Sequence, residues 1–174
     1  YWALASAKVG NENSVVRAIG SIYRAAALFL TNKENFVADN GDYAGTQINS
    51  SNILWSLSGN ISLIYKLFFG MHYGVDYLSF APFVPKVVKG KRTLSNFKYR
   101  NAILNIEMIG FGNKVKSFTV DGKESADHRV SSSLNGIHEI KIILDSKNIS
   151  SKNINASENL FSPQAPSVKY VNGL

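Results

Sequence analysis

The sequence predicts an α+β fold in which a helical part precedes a small antiparallel β-sheet or sandwich. Apolar residues recur at intervals of three and four in residues 1–78, whereas residues 79–145 alternate apolar and polar side chains between turn signals. Charge divides the chain at the same place, because residues 1–78 hold five basic and five acidic side chains while residues 79–174 hold 14 and 7. Residues 146–174 are rich in Ser, Asn and Lys, which is typical of a linker and tail.

Two long helices are predicted in the first part. The first begins at Asn13 or Ser14, either of which can cap it, and runs to about residue 30. Its apolar positions predict one buried stripe, formed by Val15, Ile19, Ile22, Ala26 and Phe29. The second helix runs from residue 50 or 51 to about residue 69, and its broad apolar face predicts that it is mostly buried.

The chain also begins and ends abruptly. Residues 2–5 are typical of the middle of an apolar helix, no initiator methionine precedes them, and residues 170–174 resemble an interrupted strand. We therefore expect the sequence to be a piece of a longer protein.

Strands dominate the second part. Tight turns are predicted at residues 110–113 and at Asp121-Gly122, a dipeptide that favours a two-residue hairpin. Between and around these turns, alternation predicts strands at residues 77–84, 98–109, 115–120 and 137–144.

Composition excludes several classes of site. With no cysteine among the 174 residues, disulfides, thiolate metal sites and cysteine nucleophiles are excluded. The three histidines lie far apart in the sequence without carboxylates at ligand spacing, so we predict no metal site and no cofactor. The longest apolar stretch, residues 53–71, is interrupted by glycine, asparagine and lysine, so we predict no membrane-spanning segment.

The net charge of +7 raises the question of nucleic-acid binding. The densest basic cluster is residues 86–92, and Phe97 and Tyr99 follow it. Cations could bind phosphates and rings could stack on bases. Lysines also commonly protect the edge of a sheet. We favour the sheet edge and predict no nucleic-acid partner.

The richest chemistry lies between the two helices, in a loop over residues 31–49 that is much longer than usual for packed helices. It holds three carboxylates together with amides and aromatic rings: Glu34, Asp39, Asp42, Tyr43, Gln47 and Asn49, followed by Trp55. Carboxylates transfer protons, amides bind hydroxyl groups and rings stack on sugars, so the loop is either a carbohydrate site or an ordinary polar loop.

Several motifs in order favour the carbohydrate site. Residues 33–36 (Lys-Glu-Asn-Phe), Gly41, Gly45 and residues 50–59 (SSNILWSLSG) resemble the last catalytic segment of six-hairpin glycosidases, the (α/α)6-toroid glycoside hydrolases. Phe36 stands where that family usually has tyrosine. The continuation, LFFGM followed by YLSFAPFVP, resembles the exit from the toroid, and FKYR through DGK resembles the small β-domain that follows. The resemblance covers about residues 1–145.

The resemblance implies that residues 1–78 are the last toroid helices and that residues 79–145 are the C-terminal β-domain. It makes Glu34 the general base of a glycosidase, which we expect to be of the inverting type, and the general acid would belong to the missing N-terminal part. The substrate or pocket wall would be contacted by Tyr43, Gln47 and Trp55. The alternative is a non-catalytic carbohydrate-binding or structural module.

Further expectations concern partners and location. The partner would be a carbohydrate substrate, and the isolated chain would be inactive. Apolar helix faces left uncovered would make it self-associate or dock onto the missing part. The location stays open, with a bacterial periplasmic or secreted protein favoured.

Overall fold

The protein combines helices with two β-sheets, which confirms the predicted α+β class. The computed structural model describes residues 1–30, 33–35, 37, 50 and 53–149. Its helices are α1 (Trp2–Lys8), α2 (Glu12–Phe29) and α3 (Leu54–Ser62), the last continued by a π-helical segment (Leu63–Phe68). The strands are β1 (Met71–Tyr73), β2 (Tyr77–Phe80), β3 (Gly90–Tyr99), β4 (Ala102–Gly110), β5 (Val115–Val120), β6 (Lys123–Glu124), β7 (Arg129–Ser131) and β8 (Gly136–Leu144), with a 3-10 turn at Lys86–Val88 before β3.

The strands form one three-stranded and one five-stranded sheet. The smaller has the order β1-β2-β7 and the larger the order β3-β4-β8-β5-β6. All pairs are antiparallel except β4 and β8, which run parallel from Ala102↔Gly136 to Ile109↔Ile143. The expectation of a wholly antiparallel sheet is therefore wrong. The chain leaves the large sheet after β6, adds β7 to the small sheet and returns as β8, and this crossover allows the parallel pair.

One apolar core lies between the two sheets, as expected of a small sandwich. Leu104, Ile106 and Met108 of β4 point inward with Ile140 and Ile142 of β8. The small sheet contributes buried residues from each of its strands to the same cluster, namely Met71, Leu78, Phe80 and Val130. The rings of Phe80 and Phe118 lie 5.4 Å apart between their centroids. The core therefore holds the two sheets together.

Predicted strands agree with observed ones where a turn has a clear signal. β5 and β8 occupy the expected positions, and Asp121 and Gly122, with φ of 49° and 77°, form the turn from β5 to β6. The single strand predicted over residues 98–109 is wrong. Arg100, at a φ of 52°, turns the chain from β3 into β4, and no glycine marks this turn. β2 also ends at Phe80, although Val84 makes an isolated bridge with Gly112.

Helix α2 begins two or three residues earlier than predicted. The side chain of Asn11 accepts a hydrogen bond of 2.9 Å from the backbone N–H of Ser14, so Asn11 is the cap in place of Asn13 or Ser14. Val15 and Ile19 are buried, whereas Ile22 is partly exposed. The predicted stripe is thus buried in the first half of the helix.

Helix α3 begins at Leu54, later than predicted, and the expectation that it is mostly buried is wrong. Leu54 is 76% exposed, and Leu57 and Ile61 are exposed as well. Burial begins in the π-helical segment, where Leu63 and Leu67 are covered. Periodicity identifies an apolar face but does not reveal whether a partner covers it.

The π-helical segment joins the helices to the sheets. Its wider turn ends with a hydrogen bond from the Phe69 N–H to the Ile64 carbonyl, five residues back, at 3.0 Å. Leu63 and Leu67 pack with residues of α1 and α2, whereas Ile64 and Tyr65 pack against the core between the sheets. The boundary predicted near residue 78 falls inside β2. No helix in the described part of the chain is long and apolar enough to cross a membrane.

Candidate functional site

Two of the four predicted site residues, Glu34 and Trp55, lie in the described part of the chain. Tyr43 and Gln47 lie outside the described residues. Glu34 is exposed, and its backbone N–H donates to the carbonyl of Ser50 at 3.3 Å. This hydrogen bond brings the two ends of the predicted loop together, next to the start of α3.

A groove between α1, α2 and α3 contains Trp55. We call it the helical groove; it has a volume of about 660 Å³. Trp55 is 65% exposed and Trp2, from α1, is 63% exposed. Lys33 and Asn60 provide polar groups in the lining, together with Lys66. The groove therefore offers two large rings beside hydrogen-bonding groups.

Glu34 is next to this groove in the chain but does not line it. Its neighbour Lys33 does, and the Lys33 carbonyl accepts a hydrogen bond of 3.5 Å from the hydroxyl of Ser56 on α3. The structure thus brings the segment of Glu34 and the ring of Trp55 to the same end of α3. It does not place the Glu34 carboxylate among the lining side chains.

The helical groove can bind an amphipathic ligand. Exposed indole rings offer flat apolar surfaces with a single N–H donor each. An amide and two ammonium groups in the same lining provide hydrogen bonds to hydroxyl or anionic groups. A saccharide, which has apolar C–H faces and a rim of hydroxyl groups, matches both features.

A second cavity, of about 630 Å³, adjoins the helical groove. We call it the adjoining cavity. Tyr1, Leu4 and Lys66 line both spaces, and the adjoining cavity extends from them to Lys8 and His72. The sequence does not predict this cavity, because its lining comes from α1, the π-helical segment, β1 and the segments that follow β2 and β4.

The basic cluster 86–92 lies at the edge of the large sheet, since β3 is its first strand. Lys91 pairs with Glu107 at 2.5 Å, and the Arg92 guanidinium donates to the carbonyls of Val88 and Gly110. Tyr99 is buried in the sandwich core, and Phe97 packs against Tyr65 with ring centroids 5.5 Å apart. These rings face the protein and are not arranged for stacking on bases.

A histidine and an aspartate form a charged pair away from the groove. His138 Nδ1 lies 2.7 Å from Asp121 Oδ2, and Nε2 lies 3.0 Å from the carbonyl of Asn135. The hydrogen bond to Asp121 raises the pKa of His138, and the same bond lowers the pKa of Asp121 with help from the N–H of Glu139. Both ring nitrogens are occupied, so His138 braces the turn rather than serving as a base.

Within the described ranges, no three His, Asp or Glu side chains are grouped so that they could hold a metal ion. Comparison with models of protein families and with curated proteins gave no match to this chain.

Proposed function

We propose that the chain is the C-terminal part of a glycoside hydrolase, with the helical groove as part of its carbohydrate-binding wall. The observation that carries this proposal is the exposure of Trp2 and Trp55 beside polar groups in one groove. Two indole rings exposed to water lack the favourable free energy that burial of their apolar surface would give. A saccharide stacked on them would recover much of it.

In this proposal Glu34 is the general base of an inverting reaction. Its carboxylate takes a proton from water as the water oxygen attacks the anomeric carbon. The bond from that carbon to the leaving oxygen breaks, and a general acid protonates the leaving oxygen. The acid would lie elsewhere in the protein, with the two carboxyl groups about 6.5–9.5 Å apart.

The role of the groove is tested by calorimetric titration of the chain with neutral and acidic tetrasaccharides. We expect Trp55→Ala to weaken binding about tenfold, because it removes a stacking surface. Ile137→Ala is the control, since Ile137 is 69% exposed on β8 and lies outside the groove. Equal affinities for Trp55→Ala and the parent chain would contradict the proposal.

The role of Glu34 is tested by activity. The chain alone is expected not to hydrolyse aryl glycosides, because it lacks the acid. In the full-length enzyme, Glu34→Gln should lower kcat by about 10²–10⁴ with little change in KM, and should remove the acidic limb of the pH profile. Turnover by the chain alone, abolished by Glu34→Gln, would show that the acid is present after all.

The position of Glu34 outside the groove lining favours one second candidate, a non-catalytic carbohydrate-binding module. It predicts the same loss of binding for Trp55→Ala. It differs in that Glu34→Gln would leave both binding and the activity of the full-length protein unchanged.

A further inference from the structure

The helical groove and the adjoining cavity are neighbouring spaces that share part of their lining. Tyr1, Leu4 and Lys66 line both. We call the two together the joined cleft. A ligand of several sugar units could therefore extend from the indole rings, past Lys66, towards His72.

The charged side chains that line the joined cleft, among the described residues, are basic. Its lining contains Lys8, Lys33 and Lys66, and none of the residues described along either cavity is Asp or Glu. This is unexpected from composition, because residues 1–78 carry as many acidic as basic side chains. At least one of the acids is engaged elsewhere, since the Glu12 carboxylate accepts from the Lys86 N–H at 2.6 Å. Among the residues that the structure describes, the charged side chains that line the joined cleft are therefore all basic.

Lys66 is the central cation of the joined cleft. It is exposed and lies in the π-helical segment, a distortion that is frequent at functional sites. Among the residues with described coordinates, neither Lys66 nor Lys8 forms an ion pair. Their ammonium groups are therefore available to an anion.

We propose that the joined cleft binds a saccharide that carries acidic groups, with a sugar ring against Trp55 and an acidic group at Lys66. This inference rests on the proposed function and narrows its substrate class. Neutral sugars would use the rings but give Lys66 and Lys8 no anionic partner. An anionic saccharide uses both, and its attraction to the cleft should weaken as salt screens the charges.

The test compares tetragalacturonate with its fully methyl-esterified form, which has the same rings without charge. A sulfated tetrasaccharide and its desulfated form are the second pair and distinguish the two kinds of acidic group. At low ionic strength we expect at least one charged ligand to bind about fivefold or more tightly than its neutral partner, with the preference reduced at 0.5 M salt.

Variants assign the effect to Lys66. Lys66→Gln should remove most of the preference for the charged ligand, and Lys66→Arg should retain it. Lys98→Gln is the matched control, because Lys98 is an exposed lysine on β3 outside both cavities. Unfolding midpoints of all three variants would verify that the fold is kept.

The outcomes separate this inference from the proposed function. Binding of neutral and charged ligands with equal affinity, still sensitive to Trp55→Ala, overturns the charge preference and leaves the carbohydrate site standing. A preference unaffected by Lys66→Gln also overturns the inference. Binding of none of the four ligands overturns both.

Discussion

Both ring nitrogens of His138 face groups that can only accept a hydrogen bond. The carboxylate of Asp121 and the carbonyl of Asn135 are satisfied together only when the imidazole is protonated. This is why the pKa of His138 is raised, while the pKa of Asp121 is lowered. The contribution of His138 to stability is full below its unfolded pKa and is lost as the pH rises through its folded pKa. That of Asp121 is lost as the pH falls through its own folded pKa.

We therefore expect His138→Gln to destabilise the protein more at pH 5.5 than at pH 8.5. The difference should be about 0.5 kcal/mol, since the pair is at the surface and partly screened. Urea unfolding at the two pH values measures it, and His72→Gln, at an exposed histidine, is the control. Equal losses of unfolding free energy at both pH values would show that His138 is not charged when it contacts Asp121.

Gly70 follows the end of the π-helical segment and cannot accept a side chain. Its φ is 62°, and an added Cβ would lie 2.0 Å from the carbonyl carbon of Ala81. We expect Gly70→Ala to lower the free energy of unfolding by at least about 2 kcal/mol, because backbone must move. Gly20→Ala, in α2 with no atom near the new Cβ, should instead raise it by about 0.5–1 kcal/mol. Chemical denaturation compares the two variants with the parent chain. A Gly70→Ala variant as stable as the parent would contradict the close approach of Gly70 to the Ala81 backbone.

At the scale of elements, strand β8 has two unlike faces. Ile142 is fully buried in the sandwich core, whereas Ile137, on the same strand, is largely exposed. Ile142→Ala should cost about 2–5 kcal/mol because it leaves a cavity in packed surroundings. Ile137→Ala should change stability by less than about 0.5 kcal/mol. Thermal and urea unfolding of the pair measure the contrast, and similar losses would mean that Ile137 is covered in solution.

The sequence predicted the elements better than their arrangement. β5 and β8 were predictable because alternation and the Asp121-Gly122 turn are local signals. The turn at Arg100 has no glycine, so the sequence predicts one strand over residues 98–109 where the structure has the end of β3, a turn and β4. The parallel pairing of β4 and β8 depends on a crossover through the other sheet, and alternation within a strand carries no information on direction.

For the candidate site, local signals in the sequence indicate a region of the chain but not the residues that line the groove. The unusual loop length and its aromatic and acidic residues pointed to the region of Glu34 and Trp55. Tyr43 and Gln47 lie outside the described residues and stay predictions. In the sequence Lys66 only interrupts an apolar stretch, because its place between two cavities arises when α1, β1 and the segment after β2 come together.

At the scale of the whole molecule, α3 presents an uncovered apolar surface. Leu54, Leu57 and Ile61 are exposed along it and do not line the helical groove. Such surfaces usually mark contacts with other protein or with ligand. The proposal that this chain belongs to a larger enzyme explains the exposure, since the missing part would cover it.

We accordingly expect the isolated chain to self-associate. Sedimentation velocity should give a mass that rises above 19.1 kDa as concentration increases. Leu54→Glu should suppress the increase by placing a charge on the contact surface, whereas Ile137→Glu, on β8, should not. A chain that stays monomeric at high concentration would contradict this picture.

The place of β8 in the sheet has a consequence for biosynthesis. β8 is the last described strand to leave the ribosome, yet it lies between β4 and β5, which are made earlier. Until it arrives, those two strands have an unpaired edge each, the kind of surface that recruits other chains. The large sheet can therefore close only after translation has passed residue 144, and both edges stay open to pairing with other chains during that interval.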